Sequence, residues 1–133
     1  MARIEKIEDL ICWQEARLLV KMVYQATNEI PFSRDADMKS QMRRAAISTM
    51  NNIAEGFGRF SNKEFIRFLE FSFTSASEVR SICYAAMDIN YWTEKEAIRI
   101  QEKAELVKAL DLGLIRYLKT HQPNHLNTSN LNT

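Results

Sequence analysis

Residues 41–64, QMRRAAISTMNNIAEGFGRFSNKE, contain the end of one predicted helix, a turn with two glycines and the start of the next helix. Gly56 and Gly58 can provide the left-handed conformation that commonly ends a helix. The S-N-K-E that starts at Ser61 is a capping box, a pattern that satisfies the free amides at the start of a helix. This stretch therefore predicts two consecutive helices joined by a short turn.

On a helical wheel, the helix that ends near Glu55 has an apolar side and a polar side. The predicted core side consists of Met38, Met42, Ala45, Ala46, Thr49, Met50 and Ile53. The polar side consists of Gln41, Arg44, Ser48, Asn51, Asn52 and Glu55, and Arg43 stands apart from both sides. Arg44 and Glu55 are separated by about 16 Å along the axis, so each needs a partner outside this helix, or water. The polar side fits either a solvated or inter-helix seam or a surface that binds phosphate or another polar ligand.

The same signals extend the prediction along the chain. A first helix covers about residues 8–28, and Pro31 separates it from the second helix because the residue before a proline disfavours helical backbone. Ser33 is the expected N-cap of the second helix. A third helix covers about residues 62–90.

A second capping box, T-E-K-E, begins at Thr93 and opens a fourth helix over about residues 94–119. Four long helices joined by short turns predict an all-α fold, an antiparallel up-down-up-down four-helix bundle formed by one domain, residues 1–120. The remaining residues, 121–133, are polar and rich in asparagine, and we expect this tail to be disordered.

The helices carry more apolar surface than one bundle can hide. The main stripe of the first helix is Cys12, Trp13, Ala16, Leu19, Val20, Val23 and Tyr24, and a second patch is Ile11, Leu18 and Met22. The third helix is apolar over more than half of its circumference, including Phe65, Phe68, Phe71 and Phe73. The stripe of the fourth helix is Ile100, Ala104, Leu106, Val107, Leu110, Leu114, Tyr117 and Leu118, with Ile98, Leu112 and Ile115 outside it. This excess predicts a homo-oligomer.

Composition excludes several classes of protein. The 18 basic and 17 acidic residues nearly cancel, so the chain lacks the overall positive field of many nucleic-acid-binding proteins. No apolar run is long enough to span a membrane, and the N-terminus MARIEKIEDL lacks the core of a signal peptide, which predicts a cytoplasmic protein. Cys12 and Cys83 lie on apolar faces of different helices, as structural thiols commonly do.

Catalytic signals are weak. The two histidines, His121 and His125, lie in or next to the tail, and no Glu-x-x-His pair of a di-iron bundle is present. Ser48 has no histidine on a core helix to activate it, and Gly56 and Gly58 lack the following Lys-Ser/Thr of a phosphate-binding loop. We therefore expect no enzyme, no metal and no cofactor.

Three stretches together resemble a known family. They are DLICWQEARLL (residues 9–19), QMRRAAISTMNNIAEGFGR (41–59) and SNKEFIRFLEFSFTSASEV (61–79). In this order they resemble the 23S rRNA intervening-sequence proteins, a family of bacterial four-helix bundles, and the most specific part is RRA followed by NIAEG. The chain departs from the family pattern at Thr49, where isoleucine is usual, and at Thr74, which replaces a glycine.

The resemblance implies a ring-like homopentamer that associates with nucleic acid. A related branch of the family serves as an accessory to the reverse transcriptases of retroelements. The positions that match the family motif are Arg43, Arg44, Asn52, Glu55, Gly56 and Arg59.

Local charge is compatible with this implication. Seven basic and four acidic residues lie between Arg34 and Arg67, and a helix start flanked by Arg59 and Lys63 attracts phosphate. We therefore predict a non-enzymatic oligomer that binds RNA or DNA through a repeated basic patch. Its predicted binding residues are Arg43, Arg44, Asn52, Arg59 and Lys63. The alternatives are a scaffold for a protein partner and a purely structural oligomer.

Overall fold

The computed structural model describes residues 4–121, and all regular structure in this range is helical. The four helices are α1 (Ile11–Thr27), α2 (Ala36–Phe57), α3 (Asn62–Asp88) and α4 (Glu94–Thr120). Two 3₁₀ turns, Ile7–Asp9 and Phe32–Arg34, precede α1 and α2. The all-α class is confirmed, and α1 starts later than predicted because residues 7–9 form a separate turn. The disorder predicted for residues 122–133 lies outside the described residues.

Three of the four helices, α2, α3 and α4, start with a side-chain cap, and one of these caps differs from the prediction. Ser61 and Thr93 accept hydrogen bonds from backbone amides three residues later, at 3.1 and 3.2 Å, which confirms these two caps. The prediction of Ser33 as the cap of α2 is wrong. Asp35 takes this role, since its Oδ1 accepts from the Met38 amide at 3.0 Å. Ser33 instead lies inside the 3₁₀ turn that follows Pro31.

The helix ends differ more from the prediction. Gly58 follows α2 with φ −78°, and neither Gly56 nor any other described glycine has a positive φ, so the predicted left-handed glycine cap is wrong. The left-handed residue is Asn90, with φ 63°, just beyond α3. There the Tyr91 amide donates to the Ala86 carbonyl at 2.8 Å, which satisfies one of the last carbonyls of the helix. Asparagine tolerates this conformation better than other residues with a side chain.

The helices pack in a cyclic order, because α1 contacts α2, α2 contacts α3, α3 contacts α4, and α4 contacts α1. Contacts at the helix ends link distant parts of the chain. The Asn62 side chain, at the start of α3, donates to the carbonyl of Leu118 at the end of α4. The Trp92 indole, between α3 and α4, donates at 3.1 Å to the carbonyl of Ala26 at the end of α1. The buried apolar side chains of all four helices form one cluster.

Most of the predicted core positions are buried. On α2, the fully buried residues are Met42, Ala45, Ala46, Thr49 and Ile53. On α1 the second apolar patch is largely exposed, with Ile11 60% and Leu18 44% accessible, while Met22 is half-buried. On α4 the prediction is partly wrong: Leu106 is exposed and Ile115 is buried. A helical wheel assumes a fixed angle per residue, and over a long helix the face that it predicts drifts away from the face that is buried. This drift accounts for the exchange of buried and exposed positions on α4.

A carboxylate lies inside this core, a feature that the sequence analysis missed. Asp111 on α4 is fully buried, and neither of its carboxylate oxygens has a hydrogen-bond partner among the described residues. Burial raises the pKa of Asp111 to about 7. The hydroxyl of Ser72 on α3 lies near enough to oppose this rise, although it does not meet hydrogen-bond geometry.

The two cysteines are free thiols inside the core. Burial, and secondarily the charge of Asp111, raises the pKa of the Cys12 thiol. Burial also raises the pKa of Cys83, to about 12, so both residues are protonated near neutral pH. This agrees with the prediction of structural thiols.

The free energy of unfolding should fall as pH rises from about 4 to about 7, because the unfolded chain releases the Asp111 proton at lower pH than the folded chain. The loss should approach about 1.4 kcal/mol per pH unit within this window. Asp9 and Asp35, whose pKa values are lowered by backbone hydrogen bonds, act in the opposite direction and at lower pH.

Urea denaturation at several pH values between 5 and 8 measures this dependence. Asp111→Asn serves as the matched control, since an amide of the same shape does not titrate. Its stability should vary less over this range than that of the wild type. Parallel pH profiles for the two proteins would show that Asp111 is not responsible.

Candidate nucleic-acid interface

Arg43 is committed to contacts inside the protein. Its Nε donates to Thr27 Oγ1 at 2.9 Å, and its guanidinium lies 4.3 Å from the centre of the Tyr24 ring. A terminal nitrogen of Arg43 also approaches the Tyr24 carbonyl, at 3.4 Å. A cation at the C-terminal end of a helix is electrostatically favourable. Arg43 therefore connects α2 to the last turn of α1.

The polar side of α2 divides into two parts. Ser48 Oγ lies 2.8 Å from Ser75 Oγ on α3, and the Asn52 side chain donates to the carbonyl and the hydroxyl of Ser48. This part is a seam between helices, as one of the two interpretations predicts. Arg44 is exposed and makes no hydrogen bond or ion pair with the residues that the structure describes. Arg44 is therefore available to a ligand, whereas Asn52 is largely engaged.

Glu55 finds its partner in the turn that follows its own helix. Its Oε1 lies 2.6 Å from a terminal nitrogen of Arg59, and both side chains are about half exposed. The Arg59 guanidinium also lies 4.8 Å from the centre of the Phe68 ring on α3. Glu55 therefore orients Arg59 over an aromatic ring, and no second subunit is needed to satisfy it.

Gly56 allows α2 and α3 to approach closely. A Cβ at this position would lie 2.8 Å from Phe65 Cδ1 and from Phe68 Cβ, and 3.2 Å from the Phe65 carbonyl oxygen. Such distances leave no room for a side chain. Thr74, which stands where the family pattern has glycine, causes no comparable obstruction, because it is exposed and its hydroxyl donates to the Glu70 carbonyl of its own helix.

Aromatic and basic side chains form one surface at the corner between α2 and α3. We call it the aromatic–arginine surface: Arg59, Arg67, Phe68 and Phe71 are joined by ring contacts, and Phe60 and Lys63 are their exposed neighbours in sequence. The Arg67 guanidinium lies 5.0 Å from the centre of the Phe68 ring and 5.4 Å from that of Phe71. The two rings meet edge to face, with centres 5.6 Å apart.

Two of these aromatic rings are unusually accessible. Phe60 is 88% exposed, and Phe71 is 43% exposed. The sequence analysis counted the phenylalanines of α3 together as one wide apolar face and did not separate the exposed Phe71 from the buried Phe65, so this surface was missed. The signal that could have revealed it is Arg67 directly before Phe68, within reach of Phe71 one turn later.

Lys63 completes the predicted basic set. It is exposed and forms no ion pair within residues 4–121. Arg67, by contrast, is paired with Glu64 at 3.3 Å. The amide of Glu64 is already bound by the Ser61 hydroxyl, so the start of α3 has one fewer free donor for an anion.

Neither a metal-binding cluster nor a membrane-spanning helix occurs in the part of the chain that the structure describes. Residues 4–121 contain no group of three or more His, Cys, Asp or Glu side chains arranged to hold a metal ion. None of the helices described is both long and apolar enough to cross a bilayer. His121 stacks on the Tyr117 ring, with centres 3.9 Å apart, and His125 lies outside the described residues.

These features define an all-α protein of four long helices with an aromatic- and arginine-rich surface. A family model described as 23S rRNA-intervening sequence protein matches residues 8–111. The chain therefore belongs to this family, as the resemblance indicated. The family description names no reaction.

One solved structure supports the fold. It is a protein of unknown function from the S23 ribosomal protein family of Bacteroides thetaiotaomicron, with a TM-score of 0.72. The match covers 80% of this chain and 99% of that chain at 19% sequence identity, so the likeness concerns the fold alone. A search of curated proteins found no match.

Gly56→Ala should lower the free energy of unfolding by about 1–3 kcal/mol, because the new methyl group must displace α3 or its rings. Gly113→Ala is the matched control: it lies within α4 with nothing within 4 Å of an added Cβ. That substitution should raise stability by about 0.5–1 kcal/mol. Urea denaturation of the two variants measures both effects. Equal stabilities for the two variants would show that the Gly56 contact does not constrain the helices.

Proposed function

We propose that this protein is a cytoplasmic, non-enzymatic oligomer of antiparallel up-down-up-down four-helix bundles that binds nucleic acid. The antiparallel arrangement is supported by contacts between opposite ends of neighbouring helices. The Tyr91 hydroxyl, after α3, donates at 2.9 Å to Asp35 at the start of α2. Thr27 at the end of α1 accepts from Arg43 in the first half of α2. The first contact brings the end of α3 to the start of α2, and the second brings the end of α1 to the first half of α2.

Association of copies is supported by the exposed apolar surface on the side of α1 and α4. This α1–α4 surface consists of Ile11, Leu18, Met22 and Leu106. Met22 and Leu106 line a common depression together with Arg99 and Lys103. Burying such side chains against another copy removes apolar area from water, at about 25 cal/mol per Å². The number of copies, five according to the family resemblance, is part of the proposal.

The observation that carries nucleic-acid binding is that Arg44 and Lys63 are exposed cations without a carboxylate partner in the described part of the chain. Arg44 lies on α2 one turn before Ser48, which contacts α3, and Lys63 lies in the first turn of α3, in a groove that Leu118 and Lys119 also line. Neither belongs to the α1–α4 surface. Arg59 lies between them in sequence and is held by Glu55, while Arg43 contributes only by anchoring α2. Repetition in an oligomer turns a few weak contacts per copy into a multivalent surface.

A second function, docking of a protein partner, is favoured by one observation. Exposed aromatic rings next to arginines are enriched at protein–protein interfaces, and Phe60 and Phe71 lie beside Arg59 and Arg67. This alternative includes an accessory role to a reverse transcriptase, which comes from the family resemblance alone.

Replacing both Arg44 and Lys63 by alanine should weaken retention of RNA or DNA and reduce its salt dependence. Binding releases fewer counterions when a phosphate contact is lost. Loss of two contacts should therefore reduce the magnitude of the slope of log affinity against log salt by about 1.4 for a single strand. Filter binding over a series of salt concentrations measures this slope. Lys95→Ala with Arg116→Ala removes the same charge from exposed positions on α4 outside the α1–α4 surface and is the matched control.

Three outcomes would contradict nucleic-acid binding by Arg44 and Lys63 or favour one of the alternatives. An unchanged salt slope would remove Arg44 and Lys63 from any nucleic-acid contact. A protein that stays bound to the wild type after nuclease treatment would favour the docking alternative. Loss of the oligomer in the Arg44→Ala, Lys63→Ala variant, measured by light scattering, would place these cations at subunit contacts and support a purely structural oligomer.

Leu18→Glu should reduce the mass of the particle in light scattering, because a carboxylate within the α1–α4 surface opposes burial against another copy. Tyr84→Glu adds the same charge at a half-exposed aromatic residue of α3 and should leave the mass unchanged. A wild type that sediments as a single copy at micromolar concentration would contradict the proposed association.

A further inference from the structure

The aromatic–arginine surface holds its two guanidinium groups in fixed positions. Arg59 and Arg67 both lie over the Phe68 ring, at 4.8 and 5.0 Å from its centre. Each is also paired with a carboxylate, Glu55 at 2.6 Å and Glu64 at 3.3 Å. Each guanidinium is therefore held by a carboxylate at its edge and by a ring at its face. It presents a flat surface to a ligand, and its charge is already paired.

The neighbouring rings, Phe60 and Phe71, remain exposed because little of the same chain packs against them. Phe60, at 88% exposure, gains almost no burial from its own chain, and Phe71 keeps 43% of its surface accessible. Phe71 touches Phe68 edge to face and lies under Arg67, so its position is also fixed. Flat, preorganised aromatic surface is what a stacking ligand requires.

The charge of this surface indicates which ligand fits. The two ion pairs neutralise Arg59 and Arg67, and Lys63 is the one basic member of the aromatic–arginine surface that has no ion pair in the described chain. Phosphate attraction at this surface is therefore weak, and stacking has to supply much of the affinity. A duplex hides the faces of its bases, whereas an unpaired strand exposes them to aromatic rings and guanidinium planes.

We propose that the aromatic–arginine surface binds an unpaired RNA strand by stacking its bases on Phe60 and Phe71. Lys63 contacts the phosphates beside the stacked bases, and Arg59 and Arg67 extend the flat surface. The inference rests on the proposed function, because it names the ligand of the same α2–α3 side. It also assigns the two apolar surfaces to different occupants: α1–α4 to another copy and α2–α3 to RNA.

The test replaces both phenylalanines by leucine, which keeps an apolar side chain and removes the aromatic face. Binding of a fluorescently labelled unpaired RNA of about 12 nucleotides, a length within the usual site size, is measured by anisotropy. Phe60→Leu with Phe71→Leu should weaken this binding by at least about tenfold, since stacking contributes strongly for each base. The wild type should bind a duplex of the same sequence more weakly than the single strand.

Several results would overturn the inference. One is wild-type affinity of the leucine variant for the single strand, and another is equal wild-type affinity for strand and duplex. A change in particle mass in the leucine variant would show that these rings contact another copy. The single substitution Phe60→Leu keeps the test valid if the double variant is unstable, because an 88% exposed side chain carries little of the fold.

Failure of this inference differs from failure of the proposed function. If the Arg44→Ala, Lys63→Ala variant loses RNA and the leucine variant does not, nucleic-acid binding stands and stacking is excluded. If neither variant changes RNA binding, both are wrong.

Discussion

The close approach of α2 and α3 at Gly56 is the constraint on which the aromatic–arginine surface depends. With no side chain at Gly56, Phe65 enters the core and Phe68 lies directly beside α2. Arg59, one turn later, then reaches across the turn to the Phe68 ring while it stays paired with Glu55. A wider separation of α2 and α3 would move the Phe68 ring away from the Arg59 guanidinium. Arg59 could then no longer contact Phe68 and Glu55 at the same time. Packing and surface chemistry are therefore set by the same contact.

The four helices, the caps at Ser61 and Thr93, and the core side of α2 could be predicted from the sequence. These features depend on local signals, namely side-chain acceptors near free amides and the period of apolar residues. The exact start of α2 could not be predicted, because Asp35 competes with Ser33 as the cap. Asp35 is also held by a hydrogen bond from Tyr91, which is distant in sequence. The role of Gly56 was likewise hidden, since it is defined by rings of another helix.

The candidate site shows the same limit. The basic residues near the turn could be found by composition, but which of them are available depends on neighbours. Arg43 is bound by Thr27 on another helix, Arg59 is held by Glu55, and Arg44 is open. The buried position of Asp111 and the exposed position of Phe71 could not be read from periodicity, because a wheel does not show where adjacent helices stop covering a face. The proposed roles of the α1–α4 and α2–α3 sides are inferred from these tertiary contacts.

The hydrogen bonds of Asn62 have a practical consequence for handling the protein. Its side chain donates to the carbonyls of Leu118 and His121, so the end of α4 is held against the first turn of α3. A tag fused directly after His121 would therefore begin beside that turn of α3.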